Sequence, residues 1–309
     1  MPIWSSSFLE FITAVVCDQN NEDWMFGNCN TCLNKLQAVF TMNSDQKIFS
    51  ATWYQCDATS QHMLKCQKKS IADCYAMLRQ QARNFLTHTV VKCKQSAFFE
   101  DAKKSVSDTS IVIQLDFSEK YTFKQQKEIQ IAHWANKQAT LVTVYLWFAN
   151  EKVMSIVFVS EYLDHDKYAV HKFLYWLMIM LKRDHQTVRE VKIFSDCAAS
   201  QFKQKFLFVN LTFREHTFEI KLSWHFFATS HGKRVVDGFG GTLKQLVWRE
   251  CTSEKMIDTA DGFAQIANEK SPKIKVIYLP AEEILEHKEE LIDIGKEYYP
   301  CLTLNKLIV

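Results

Sequence analysis

The chain has little glycine, little proline, no excess of charge and no long apolar run. Its 309 residues include seven glycines and four prolines, and no proline lies between residues 3 and 271. That absence is consistent with long, uninterrupted helices and strands. A formal net charge of +2 excludes a global basic field, so any nucleic-acid-binding surface must come from local clusters.

No apolar run is long enough to cross a bilayer. The longest internal run, Phe173 to Leu181, is far shorter than the roughly 20 residues that a membrane span needs. Near the N-terminus, the run from Phe8 to Val16 has no basic residue before it and is interrupted by Glu10, which does not fit a signal peptide. We therefore expect an intracellular protein without a membrane partner.

Hydrophobic periodicity changes along the chain. Residues 70–93 place apolar side chains at three- and four-residue steps, which predicts an amphipathic helix in a mostly helical N-terminal domain. Beyond the polar stretch at 105–109, apolar segments rich in β-branched and aromatic residues predict strands, and an amphipathic helix is predicted at 167–183. The strands are predicted at 111–117, 139–148, 153–160 and 188–196.

This order predicts a mixed α/β sheet flanked by helices and preceded by a smaller cysteine-bearing helical domain. We expect the N-terminal domain at 1–108, the core at 109–265 and a C-terminal strand–helix extension at 266–309.

Cysteine is crowded at the N-terminal end, where seven of the ten cysteines lie in the first 93 residues. Cys29 and Cys32 form a C-x2-C pair, and Cys17 precedes them; in an intracellular chain this pattern favours a structural zinc site over disulfides. The candidates for a fourth ligand are Cys56, His62 and Cys66. The alternative is that these cysteines are reduced side chains that pack as small hydrophobes.

Two predicted strands end in a carboxylate. IVIQLD closes with Asp116 and VKIFSD closes with Asp196. If the helix at 167–183 is the crossover between them, the two strands are parallel neighbours and both aspartates lie at one edge of the sheet, where ligands of open α/β sheets collect. A hard divalent cation such as Mg²⁺ would relieve the repulsion between the two carboxylates.

The stretch WHFFATSHGKRVVDGFGG (224–241) contains four of the seven glycines. A helix is predicted to open at DGFGGTLKQLVWREC, which would bring Asp237 near the helix N-terminus. Glycines there would allow close approach of the backbone to a phosphate or a metal-bound substrate, and Lys233 could contact a phosphate oxygen. His225, His231 and Asp237 are spaced six residues apart, which leaves a mononuclear zinc hydrolase as an alternative.

Three stretches together resemble a group of animal proteins derived from DNA transposons, which have a DDE-type, RNase H-like core. The stretches are IQLDFSEKYTFKQQKEIQIAHW (113–134), FSDCAASQFKQK (194–205) and WHFFATSHGKRVVDGFGGTLKQLVW (224–248). The resemblance covers about residues 15–300, and the SHGK…DGFGG stretch is its most specific part.

The resemblance implies a site in which acids hold two Mg²⁺ or Mn²⁺ ions for cleavage and strand transfer of DNA. Asp116 corresponds to the first acid, Asp196 to the second and Asp237 to the third, with Glu250 as the alternative third acid. His225 and His231 resemble histidines that brace such sites, and Lys233 resembles a phosphate contact.

The same resemblance implies DNA as partner, a nuclear location and a second copy of the chain as a further candidate partner. Whether the chain is an enzyme stays open at this point. The alternative is a catalytically inactive, domesticated protein that keeps a nucleic-acid-binding or scaffold role.

Overall fold

The structure is a computed structural model that describes residues 8–40, 50–56, 64–123, 137–196, 198, 201–202, 205–228, 235–252 and 257–298. By the contacts within the chain, it divides into two compact units, Met1–Lys94 and Gln95–Val309. The domain boundaries expected from the sequence, after residues 108 and 265, stay predictions. None of the helices in the described parts is long and apolar enough to cross a membrane.

The first unit contains helices and one two-stranded sheet. The helices are α1 (Phe8–Val15), α2 (Glu22–Met25), α3 (Asn30–Val39) and the start of α4 (Ile71–Lys104). The strands β1 (Ser50–Cys56) and β2 (Leu64–Ser70) pair antiparallel. The core of this unit is formed by apolar side chains of α1, α3 and α4, including Ile12, Val15, Leu36, Leu86 and Val90.

Helix α4 continues beyond the helix predicted at 70–93. Residues 94–104, KQSAFFEDAKK, are rich in alanine, glutamine, glutamate and lysine, which are strong helix formers. Its last turns carry Phe99 and Ala102 into a buried cluster of the second unit.

The second unit is built around a six-stranded sheet with helices on both faces. Its strands are β3 (Ser110–Thr122), β4 (Gln138–Trp147), β5 (Val153–Ser160), β6 (Glu190–Ser195), β7 (Lys221–Phe226) and β8 (Ile274–Tyr278). Its helices are α5 (Lys167–Asp184), α6 (Lys205–Phe218), α7 (Val235–Thr252), α8 (Ala260–Lys270) and α9 (Ala281–Tyr298).

The strand order is β7-β6-β3-β4-β5-β8. The three consecutive strands β3, β4 and β5 pair antiparallel, whereas β6 runs parallel to β3, β7 parallel to β6 and β8 parallel to β5. The prediction that the first and fourth core strands are parallel neighbours is confirmed.

The two faces of the sheet are covered differently. On the first face, Ile111, Ile113 and Leu115 of β3 belong to one continuous cluster with the buried sides of α5 and α6. On the second face, Val112 packs with Phe99 of α4 in one cluster, whereas Tyr121 and Phe123 pack with α7 and α8 in another. The predicted mixed α/β sheet flanked by helices and preceded by a smaller cysteine-bearing unit is confirmed.

Candidate active site

Asp116 lies within β3, which continues to Thr122 and does not end at the aspartate as the sequence predicted, whereas Asp196 directly follows the last residue of β6. The parallel register of β3 and β6 ends with Gln114 opposite Phe194, and each aspartate comes two residues later. Because side chains alternate along a strand, Asp116 projects from the same face as Gln114, and Asp196 begins the turn that follows β6. Neighbouring strands are about 4.8 Å apart, so the two backbones are close at this point. Both side chains are half-buried.

The backbone at each aspartate is held by a neighbouring hydroxyl group. Thr143 of β4 pairs with Asp116 in register, and its Oγ1 donates to the Asp116 carbonyl oxygen at 3.2 Å. Ser195 Oγ donates to the Asp196 carbonyl oxygen at 3.0 Å and accepts from Trp224 Nε1 at 2.9 Å. The carboxylate of Asp196 accepts a hydrogen bond from the backbone N–H of Ala198 at 3.1 Å. Nothing in the sequence marks Thr143, because it meets Asp116 only through the β3–β4 pairing. Ser195 is adjacent to Asp196, but its contact with Trp224 depends on the β6–β7 pairing.

A β-bulge follows Asp116 in β3. Ser118 pairs with Leu141 of β4 and Tyr121 pairs with Ala139, so Glu119 and Lys120 are left between two successive pairs. Bulges of this kind bend a strand, increase its twist and are common beside active sites.

Helix α7 lies along this part of β3 and runs in the same direction. A Cβ atom on Gly240 would lie 3.5 Å from Ser118 Oγ and only 2.9 Å from Thr143 Cγ2, so this glycine allows the helix to approach the sheet. Further along the helix, Lys244 Nζ donates to the Glu119 carbonyl oxygen. Near its end, Cys251 Sγ lies 4.0 Å from the Tyr121 hydroxyl.

Asp237 lies in the first turn of α7, and its side chain is exposed. It precedes Lys244 by seven residues, which is close to two full helical turns, so both project from the same flank. The contact of Lys244 with Glu119 identifies this flank as the one that faces β3. Asp237 precedes Gly240 by three residues, which is about 4.5 Å along the helix. Because Gly240 lies beside Ser118, this step brings Asp237 toward the level of Asp116.

The glycines of this stretch do not share one role. A Cβ on Gly238 or Gly241 would meet no atom within 4 Å, so only Gly240 among these three is required by close packing. Gly232 lies outside the described residues.

Glu250, the alternative third acid, lies at the other end of α7. It comes thirteen residues after Asp237, which is about 20 Å along the helix. It projects from a different flank and forms an ion pair with Lys270 of α8, with Lys270 Nζ 3.3 Å from Glu250 Oε2.

Of the three predicted accessory residues, His225 is described, whereas His231 and Lys233 lie outside the described residues. His225 pairs with Phe194 in register, and its ring packs against Phe98 (4.8 Å between centroids) and Phe194 (4.9 Å). Its Nε2 lies 3.1 Å from Ser223 Oγ. Burial, followed by the charge of Lys192, lowers the pKa of His225, so the imidazole is neutral at pH 7.

Cys17, Cys29 and Cys32 converge in the first unit. Within the described parts of the chain, this is the only group of three Cys, His, Asp or Glu side chains whose ligand atoms all lie within 4.8 Å of one another. Asp116, Asp196 and Asp237 do not together meet this distance.

The geometry of the cysteine cluster follows from the start of α3. Cys29 is the N-cap residue with extended backbone, and Cys32 follows in the first turn, so both sulfurs are near the positive end of the helix dipole. The backbone N–H of Cys17 donates to Cys32 Sγ at 3.3 Å. A hydrogen bond from the Cys32 backbone lowers the pKa of Cys29, whereas burial raises that of Cys32 to about 11.

None of the candidate fourth ligands joins this cluster in the described parts of the chain. Cys66 is exposed and lies outside it. His62 and the side chain of Cys56 are outside the described residues.

Comparison with solved structures finds weak neighbours among viral intasome and terminase nuclease chains. A chain of the simian T-cell lymphotropic virus intasome in complex with PP2A regulatory subunit B56 gamma aligns at 10% identity and TM-score 0.33, covering 53% of this chain and 48% of that one. The chain therefore spans about half the length of that neighbour. The human cytomegalovirus terminase nuclease domain aligns at 9% identity and TM-score 0.24, covering 65% of this chain and 77% of that one. Its Mn-soaked, inhibitor-bound form aligns at 11% identity and TM-score 0.23, covering 66% and 79%.

Comparison with curated proteins finds no significant match. One family matches, over residues 95–305, which includes the whole six-stranded sheet and both of its helical layers. The chain belongs to the family described as Domain of unknown function (DUF8701).

Proposed function

We propose that the second unit is a divalent-metal-dependent nuclease and strand transferase of the transposase type, with Asp116, Asp196 and Asp237 as its acids. The observation that carries this proposal is the parallel register of β3 and β6, which ends with Gln114 opposite Phe194, each two residues before an aspartate. Two carboxylates close together repel each other unless a cation lies between them. A purely structural role, such as capping a turn, would need only one aspartate.

The donor set fits Mg²⁺ or Mn²⁺. Both aspartates offer hard oxygen ligands, and their half-buried side chains are open to solvent on one side. When bound, two such ions would supply activation of a water or a 3′-hydroxyl and stabilisation of the leaving oxygen. The protein would contribute the positions of the carboxylates through the hydroxyl contacts of Thr143 and Ser195.

Asp237 is the third acid in this proposal, in preference to Glu250. Asp237 is on the flank of α7 that faces β3, whereas Glu250 is about 20 Å further along the helix and forms an ion pair with Lys270. An exposed acid at the start of a helix can join a shared cation at lower desolvation cost than a buried one.

The remaining roles follow the same proposal. DNA is the substrate, His225 and His231 brace the site, Lys233 contacts a phosphate and the protein acts in the nucleus. A second copy of the chain is a further proposed partner, because strand transfer joins two DNA segments.

The test is a cleavage assay on single- and double-stranded DNA with Mg²⁺ or Mn²⁺. We expect cation-dependent cleavage by the wild-type chain, loss of cleavage in D237N and retained cleavage in the matched variant E250Q. Loss in E250Q with retention in D237N would reverse the assignment of the third acid. Binding of DNA without cleavage under any of these conditions would replace the nuclease with the inactive nucleic-acid-binding protein.

We further propose that Cys17, Cys29 and Cys32 bind a structural Zn²⁺ in the first unit. Three sulfurs that converge at a helix start match the donor type and the C-x2-C spacing of such sites. Metal analysis of the full chain should give close to one equivalent of zinc in the wild type and in C93S, which changes an exposed cysteine, and less than half an equivalent in C32S. Equal zinc content in C32S and C93S would contradict the site.

A further inference from the structure

Lys244 forms a polar contact between α7 and the bulge of β3. Its Nζ donates to the carbonyl oxygen of Glu119, one of the two residues that the β3–β4 register leaves between successive pairs. The side chain is half-buried, and this burial lowers its pKa while the carboxylate of Glu119 acts in the opposite direction. The ammonium group is therefore directed at the sheet.

The start of α7 needs such a contact. Gly238, Gly240 and Gly241 lie in its first two turns, and each glycine weakens a helix by about 1 kcal/mol relative to alanine. The position of Asp237 relative to β3 therefore depends on contacts made outside the helix backbone. Of the contacts that α7 makes with β3 at Gly240, Lys244 and Cys251, only that of Lys244 has a charged donor.

Lys244 and Asp237 lie on the same flank of α7, the one that faces β3. The two residues are seven positions apart on one flank, so a rotation of α7 about its axis that moves Lys244 away from Glu119 also moves Asp237 away from β3. Gly240 permits the close approach of the helix but does not set its rotation, because a hydrogen atom in place of a side chain leaves freedom to slide.

We infer that Lys244 is a positioning residue, which fixes the rotation and register of α7 against β3 and so holds Asp237 at the level of Asp116. This inference rests on the proposed function and deepens it, because it assigns the geometry of the third acid to a contact remote from the substrate. In this inference Lys244 acts through Asp237 and does not itself bind the cation or the DNA.

The experiment measures Mn²⁺ affinity, kcat and KM for cleavage, and the melting temperature of the full chain. K244M removes the charged donor and keeps the apolar stem, K244R keeps a charged donor, and Q245M is the matched control at the next, exposed position of the same helix. We expect K244M to weaken Mn²⁺ binding and to lower kcat about tenfold each, the lower end for loss of an outer contact of a metal site. KM for DNA should change little, K244R should recover most of both losses, and Q245M should match the wild type.

A double-mutant cycle with D237N separates positioning from general stability. If Lys244 acts through Asp237, K244M should cause no further loss of Mn²⁺ affinity in the D237N background. Additive losses, or a K244M variant that melts earlier while binding Mn²⁺ as the wild type does, would overturn the inference and leave the proposed function intact. Absence of Mn²⁺ binding by the wild-type chain would instead refute the proposed function, and the inference with it.

Discussion

The first face of the six-stranded sheet carries one continuous apolar cluster, whereas the second face carries two clusters with polar residues between them. Along β3, the first face is apolar from Ile111 to Leu115, and α5 and α6 cover it. On the second face, Val112 belongs to the cluster under α4 and Tyr121 to the cluster under α7, and Asp116 and Ser118 lie between the two. We therefore expect substitutions on the first face to affect mainly stability, and substitutions at the polar break on the second face to affect mainly the proposed cation site.

The largest expected effect contrasts adjacent residues of β3 that face opposite ways. D116N should reduce cleavage at least about 100-fold, since even loss of an outer contact of a metal site costs about 10- to 100-fold. Its melting temperature without metal should stay close to that of the wild type. L115A should instead lose about 2 to 5 kcal/mol of unfolding free energy, as buried leucines do, and retain cleavage at temperatures where it is folded. Cleavage kinetics and urea unfolding of both variants measure these effects. Loss of cleavage in L115A while D116N keeps its activity would contradict the contrast between the two faces.

The next effect concerns a titratable pair that α5 and α9 bury together. His171 Nδ1 lies 2.7 Å from His287 Nε2, with Tyr175 stacked on His287, Glu290 Oε2 3.3 Å from His287 Nδ1, and Arg214 over Tyr175. Burial lowers the pKa of His171 to about 2, with Arg214 and His287 acting in the same direction, and burial also lowers the pKa of His287.

Because the unfolded chain binds protons below pH 6.5 that the folded chain does not, the unfolding free energy should fall as pH drops below 6.5. The expected contribution of His171 is roughly 1 kcal/mol per pH unit between pH 6 and 5. Urea unfolding at pH 7, 6 and 5 tests this, with H171Q/H287Q as the variant in which the slope should become shallower. A wild-type slope no steeper than that of the double variant would contradict the effect.

A smaller effect tests the close approach of α7 to the sheet. In G240A the new Cβ would lie 2.9 Å from Thr143 Cγ2, and overpacking of this kind typically costs about 1 to 3 kcal/mol. T143S removes that methyl group and keeps the hydroxyl that donates to Asp116, so G240A/T143S should recover stability and cleavage together. Unfolding free energies of the two single variants and the double variant decide this. If the unfolding free energy of G240A equals that of the wild type, α7 does not pack closely against Thr143.

The smallest effect is the matched control on the same helix. G241A places a Cβ where no atom lies within 4 Å, so it should stabilise the chain by about 0.5 to 1 kcal/mol through the helix preference of alanine. Thermal unfolding measures this difference. Destabilisation by G241A as large as that by G240A would mean that the glycines act as a group.

The sequence predicts the strands of the core well and the contacts of the site less well. The shared patterns IVIQLD and VKIFSD predict the parallel pairing that brings Asp116 and Asp196 to one edge, because strand pattern and crossover helix are both local signals. The role of Gly240 differs from that of Gly241 only through Thr143, almost a hundred residues away, and the contact of Lys244 depends on a bulge created by the β3–β4 register. Such features depend on long-range packing, which a periodicity of apolar residues does not encode.

The most direct test of the three-acid site is the rise in melting temperature that Mn²⁺ causes in the wild-type chain and in D116N. A ligand that binds only the folded chain stabilises it by mass action, so the wild type should melt at a higher temperature as Mn²⁺ is added. D116N should show little or no rise while melting like the wild type without metal. The full Mn²⁺-induced rise in D116N would contradict a metal site at Asp116, Asp196 and Asp237.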